Sequence, residues 1–277
     1  MTVPKALSSD VAALFELSPP APQAVLIAED PFGPDAIVEA LYNSKADANF
    51  LSRLTGHDVV VAPLPDQDWI KQSQEGLAPV RAGRFFLYGA HDAGAVPSGV
   101  IPIRIEAGLA FGTGHHETTA LCLQALSRLA KQRRFGHVLD LGCGTGVLAM
   151  AAAKLWRQIV LATDIDPIAV EVARENARAN RVAPLVRAAA ADGLTHPAIA
   201  RMAPFDLVLA NILAAPLAQL APALCAAIAP RGIAVLSGLL RNQENFVLSS
   251  YRAQGFKLRE ALRDGPWSAL VLERGRG

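Results

Sequence analysis

An α/β protein built on a seven-stranded, mainly parallel sheet is predicted for this chain of 277 residues, and three observations carry the expectation. From about Ile101 onward, short apolar runs alternate with longer segments of helical spacing, the pattern of strands joined by crossover helices. One run, ending at Leu141, leads straight into Gly142, Gly144 and Gly146, where the backbone can turn tightly and lie against a ligand. The last two runs are joined too closely for a helical crossover, so they must pair antiparallel.

In chain order, the strands expected are residues 137–141, 159–164, 185–189, 205–211, 233–237, 256–261 and 267–273. A helix over 120–130 precedes the first of them. Pro167 fits a helical first turn after Asp166, and 169–180 carries apolar and charged residues at helical spacing. Residues 207–230 contain no charge and are long enough to span a bilayer. Pro216, Pro222, Pro230, Asn211 and Gln219 argue instead for a buried strand followed by an alanine-rich helix. Pro230, Arg231 and Gly232 read as the turn out of it.

The first part of the chain has another texture. Residues 1–62 offer a strand at 24–28, helix-like patterns at 34–42 and 46–55, and a strand at 58–61. A small α/β recognition domain is expected there, then a linker over 63–100 punctuated by Pro63, Pro65 and Pro79, with a short polar helix at 66–78. The large domain takes 101–277.

Composition narrows the partners and the compartment. Lys and Arg number 26 against 25 Asp and Glu, so no overall basic field argues for direct nucleic-acid binding. Cys122, Cys143 and Cys225 form no CxxC pair, which fits a reduced cytoplasm better than a disulfide framework. Lys5, Asp10 and Glu16 interrupt any export signal, and no membrane association is expected.

The ligand of the glycine turn is decided by charge. Counting from Gly144, with Gly146 and Ala149, satisfies the weaker dinucleotide spacing GxGxxA. Asp140, two positions before Gly142, would repel a pyrophosphate. S-adenosylmethionine carries no phosphate and presents a cationic sulfonium and amino group, which an acidic strand end suits. Asp164 ends the next strand, where a carboxylate can accept from both ribose hydroxyls. Upstream, FGTGHHETT over 111–119 reads as a loop that caps a helix and folds over the cofactor. Its adjacent histidines lack the HxxxH or HExxH spacing of a metal site, and no metal is expected. Asn211 ends the fourth strand, where open parallel sheets bind ligands. Its amide carbonyl can accept from an incoming amine, or from neighbouring backbone. Asp192, in AADG, is a contact for the adenine amino group or a solvated turn residue.

Read together, FGTGHHETT, VLDLGCGTG, TDIDP and ANILA make the chain similar to the ribosomal protein L11 methyltransferases, the PrmA family. The resemblance covers Ile101 to the end and, more loosely, 66–92. It implies a Rossmann-like methyltransferase sheet, S-adenosylmethionine as cofactor, and repeated methylation of lysine side chains and the N-terminal amine of ribosomal protein L11. It places cofactor contacts on Thr119, Gly142, Asp164 and Asn211. Phe111, Asp140, Gly144, Ile165 and Asp192 complete the expected binding set, and Asn211 is the expected catalytic residue. The chain departs from the Asn-Pro-Pro-aromatic motif, since Ile212, Leu213 and Ala214 follow Asn211. Without a stacking aromatic an aliphatic amine is the better acceptor. Such an amine must be neutral to attack, which costs a free lysine about 4 to 5 kcal/mol at pH 7. An apolar pocket offsets part of that. No general base is identified, so positioning is expected to do most of the catalysis, with water taking the proton. A dinucleotide oxidoreductase, a non-enzymatic adenosylmethionine-binding assembly factor, and a methyltransferase for another protein lysine or small-molecule amine remain the competing readings.

Overall fold

The computed structural model describes residues 2–16, 18, 24–29, 34–42, 47–61, 79–105 and 116–276. The chain divides into two compact units, Met1–Asp68 and Trp69–Gly277.

The first unit holds strands β1 (Thr2–Pro4), β2 (Ala24–Glu29) and β3 (Asp35–Leu41), with helices Ser8–Glu16 and Ala48–Thr55. The strands form an antiparallel sheet in the order β1-β3-β2. Val3, Val11, Phe15, Val38 and Leu51 make its core. Asp47 caps the second helix by accepting from the N–H groups of Asn49 and Phe50, at 2.9 and 3.2 Å, and left-handed Gly56 ends it. Two expectations fail here. The 34–42 stretch is a strand, not a helix: Ala36 and Val38 are buried while Asp35, Ile37 and Glu39 face out, and that period of two overrides the helix-forming composition. Residues 58–61 are not a strand, because Val59 gives its N–H to the Ser52 hydroxyl and Val60 is exposed. The short helix expected at 66–78 lies outside the described residues.

The second unit opens with β4 (Val80–Ala82), β5 (Phe85–Tyr88) and β6 (Ile101–Arg104), a three-stranded sheet with one antiparallel and one parallel pairing. β4 and β5 lie in the stretch 63–100 read from the sequence as linker, and β6 opens the expected large domain. They belong to the main core, with Ala82, Phe85 and Ile103 in one cluster with Leu121 and Leu126 of helix His116–Leu129. Arg84 adds its N–H to the Ser127 hydroxyl at 3.0 Å.

The large sheet comprises β7 (Val138–Leu141), β8 (Val160–Asp164), β9 (Val186–Ala190), β10 (Phe205–Asn211), β11 (Ile228–Leu240), β12 (Phe256–Asp264) and β13 (Trp267–Arg274). Its order is β12-β13-β11-β10-β7-β8-β9, and only β13 is reversed. This is the seven-stranded sheet the alternation predicts. Helices Val147–Trp156, Pro167–Ala179 and Ala214–Ala227 fill the crossovers. Two apolar clusters form around the sheet, one holding Met150 and the other Leu217 and Tyr251. The uncharged window resolves into β10 and the helix Ala214–Ala227, and no described helix is long and apolar enough to cross a membrane. The turn expected at 230–232 sits inside β11 as an irregularity. The register jumps from Phe205↔Ile228 to Leu207↔Ile233, with Arg231 left-handed at φ 62°.

Candidate functional site

The strand order puts β7 inside the sheet, between β10 and β8, so the carboxyl ends of these three strands converge where open parallel sheets hold ligands. The glycine turn after β7 is shaped by its dihedrals. Gly142, Gly144 and Gly146 all have positive φ, at 69°, 51° and 78°, a region that a side chain disfavours. The N–H groups of Gly142 and Cys143 donate to the carbonyl of Thr163 at 2.8 and 2.9 Å, which pins the turn to β8. Gly142 is also sterically required: a Cβ there would lie 2.4 Å from Cγ2 of Ile212.

Two carboxylates organise the turn differently. Asp164 accepts the Gly144 N–H on Oδ2 at 2.8 Å and the Asp166 N–H on Oδ1 at 3.1 Å. Both oxygens thus hold backbone and keep a second lone pair each. Asp140 is buried and accepts the Ala149 N–H on Oδ2 at 2.8 Å, while its Oδ1 has no partner. Burial raises its pKa to about 7, with the Ala149 hydrogen bond opposing the rise and the charge of Asp164 adding to it.

Asn211, ending β10, has the same asymmetry. Its amide nitrogen donates to the Thr119 hydroxyl at 3.2 Å, and its buried carbonyl oxygen has no partner. The residue that follows is wedged. Ile212 donates its N–H to Ser237 at 3.1 Å, packs its branch over Gly142, and its backbone passes so near Gly238 (φ 82°) that a Cβ there would lie 2.4 Å from the Ile212 carbonyl oxygen. A cavity of about 560 Å³ opens beside these groups, lined by Thr119, Asp140, Gly142, Gly144 and Asn211 together with apolar Val147, Leu148, Leu213, Leu240 and Trp267.

Of the expected site residues, those five line one cavity. Asp164, Ile165 and Asp192 do not line it; Asp164 ends β8, Ile165 follows it, and Asp192 follows β9. Ile165 is 70% exposed and Asp192 is also exposed. Phe111 lies outside the described residues, as do His115 and the His116 side chain, so the metal reading of that loop does not touch the described structure. Among the described residues no cluster of His, Cys, Asp and Glu could hold a metal ion. Sequence reasoning missed Ile212, Gly238, Gln243 and Trp267 on the cavity wall. The Ser-Gly pair at 237–238, a glycine ending an apolar strand, was the available signal.

A buried acceptor without a donor costs on the order of 1–3 kcal/mol, and this cavity wall holds two of them. A ligand that brings donors and positive charge relieves both, whereas a pyrophosphate would bring only acceptors. S-adenosylmethionine, whose amino group donates and whose sulfonium carries positive charge, fits these two acceptors. The parallel sheet, its glycine turn and this acceptor-rich wall define an S-adenosylmethionine-dependent methyltransferase. The family model described as "Ribosomal protein L11 methyltransferase (PrmA)" matches residues 27–275. The chain belongs to that family. It is 49% identical over 231 residues to a ribosomal protein L11 methyltransferase of a Caulobacter strain, covering 82% of this chain and 79% of that protein. With the Mesorhizobium japonicum protein of the same name it shares 52% over 211 residues, 76% of this chain and 72% of the other. The solved ribosomal protein L11 methylase of Lactobacillus delbrueckii superposes with a TM-score of 0.65 at 30% identity, over 72% of this chain and all of that one.

Proposed function

We propose that this chain methylates lysine side chains and the N-terminal amine of ribosomal protein L11, with Asn211 as the catalytic residue that receives the amine. The observation that supports this most is the unpartnered, buried carbonyl oxygen of Asn211 beside the cavity, with the amide's other end held by Thr119. An amide fixed in that orientation offers an acceptor to an amine N–H and leaves the nitrogen lone pair to be aimed by position. When bound, S-adenosylmethionine supplies an electrophilic methyl group on a sulfonium. Asp140, Gly142, Gly144, Asp164 and Thr119 are the residues proposed to hold it, with Ile165, Asp192 and Phe111 around the adenosine. An apolar side chain as exposed as Ile165, next to Asp164, has the character of a cover for a flat base.

The chain's part in the reaction is to bind, orient and dry. Leu213, Leu240 and Trp267 give the cavity apolar walls, which disfavour an ammonium and so help the amine lose its proton. Asp140 receives positive charge on its free oxygen. The family name of the relatives supports L11 as the protein that brings the amine. The small unit at 1–68 is the part proposed to dock it, and the cytoplasm is the proposed compartment, in keeping with three free cysteines. The test is transfer of labelled methyl from S-adenosylmethionine to unmethylated L11 by the wild type and by Asn211→Ala. Label in L11 from the wild type and its loss in the variant, with cofactor still bound, are expected. Cofactor binding without label in L11 would move the substrate to another amine. Full turnover in Asn211→Ala would remove that residue from its role.

A further inference from the structure

The amino-terminal edge of the large sheet, opposite the cavity, carries a row of arginines. Among the described residues the only non-glycine positions with positive φ are three, Arg157, Arg181 and Arg231, at 57°, 57° and 62°. Every other left-handed position among the described residues is a glycine, including Gly255 on the same edge. Each arginine precedes the paired part of a parallel strand: Arg157 before β8, Arg181 before β9, and Arg231 before the main pairing of β11. The connection entering β7 adds Arg133 and Arg134, and all five residues are exposed.

Strand order converts these scattered positions into a line. Neighbours β11-β10-β7-β8-β9 place Arg231, Arg133, Arg134, Arg157 and Arg181 in sequence along the edge, and at roughly 4.8 Å per strand the row spans about 19 Å. Three hydrogen bonds knit it together. Arg133 donates to the carbonyls of Arg231 and Asp206 at 3.3 and 3.2 Å, and Arg134 donates to that of Trp156 at 2.8 Å. Acidic groups here are few and engaged. The Asp206 carboxylate accepts the N–H groups of Gly136 and His137, and Glu273 lies 3.1 Å from Arg259 and 3.8 Å from Arg231.

Cations near helix ends have an ordinary explanation in the helix dipole, and right-handed last-turn residues such as Lys154 and Arg178 already provide them. The dipole does not call for a left-handed arginine where glycine would be unstrained. We propose that this edge binds a single-stranded RNA segment through its phosphates. A narrow row of guanidiniums matches successive phosphate groups, which arginine engages with two parallel hydrogen bonds. A lipid surface fits less well, because the most exposed large apolar side chains of this unit, Ile165, Ile168 and Leu213, follow the carboxyl ends of strands at the other edge. The chain's net charge of +1 hides the row, since its members are far apart in sequence and the sheet gathers them.

The test compares the full-length protein with the triple variant Arg157→Gly, Arg181→Gly, Arg231→Gly. Glycine suits all three backbones, so a stability role for the side chains and an RNA role predict different results. Binding of a labelled oligouridylate of roughly twenty nucleotides is measured by fluorescence anisotropy across a salt series, alongside thermal unfolding and binding of phosphatidylserine vesicles. The expected result is salt-dependent RNA binding by the wild type. The triple variant should bind at least about tenfold more weakly, with a log–log salt slope shallower by about 2, from about 0.7 per lost phosphate contact, and with an unchanged or raised melting temperature. No RNA binding by the wild type, equal binding by the variant, or preference for vesicles over RNA would overturn the proposal. So would a variant whose weaker binding merely follows a lowered melting temperature.

Discussion

At Asn211 the two ends of one amide have unequal fates: the nitrogen is held by Thr119 and the oxygen is buried without a donor. Thr119→Val should free the amide to turn and lower turnover about tenfold, while Thr119→Ser should retain most of it, as steady-state methyl transfer would show. Asn211→Ala should lower kcat by on the order of 10²-fold, the scale of losing a positioned catalytic contact. Asp140 makes a separate prediction through its raised pKa of about 7. A carboxyl whose folded pKa lies above its unfolded value holds its proton more tightly in the native state. Ligand-free stability should therefore fall as pH rises from roughly 4 to 7, by at most ~1.4 kcal/mol per pH unit, and level off above 7. Denaturant melts of Asp140→Asn should lose that slope. The identities of Asp140, Asp164 and Asn211 were legible in the sequence because Asp164 and Asn211 end strands and Asp140 is the last residue but one of its strand. Their hydrogen bonds were not. That Asp164 spends both oxygens on backbone N–H groups depends on the path of the turn, which no residue pattern displays.

The glycine turn and the bulged end of β11 act as one element because Ile212 lies between them. A Cβ at Gly142 would strike its side chain, and one at Gly238 would strike its backbone. Gly238→Ala should therefore cost about 3 kcal/mol or more, adding a backbone clash to the left-handed penalty of about 1–2 kcal/mol, and should reduce turnover by shifting Asn211. Gly265→Ala has nothing within 4 Å of its new Cβ and should show the left-handed penalty alone. Chemical denaturation of the two variants compares them directly. At this scale the sequence was most readable where burial on both faces made continuous apolar runs, as in β7, β8 and β10. It misled at 34–42, where alanine, glutamate and leucine suggest helix but pairing with β1 and β2 exposes alternate residues. It also passed over 79–105, whose short strands acquire their apolar role only by packing on helix His116–Leu129.

On the scale of the whole chain, two properties arise only from assembly. One is the arginine row, which composition averages away. The other is the division into a unit that carries the cavity and a smaller one at 1–68. If the smaller unit docks the protein substrate, a chain starting at Trp69 should bind S-adenosylmethionine with affinity near that of the full protein, by calorimetry, yet lose most L11 methylation. The acceptor itself tests the account most directly. After incubation of unmethylated L11 with this protein and S-adenosylmethionine, tandem mass spectrometry should find a ladder of methyl additions confined to lysine ε-amines and the N-terminal amine. Unmodified L11 in the presence of bound cofactor, or methyl groups on carboxylate, amide or ring atoms, would contradict it.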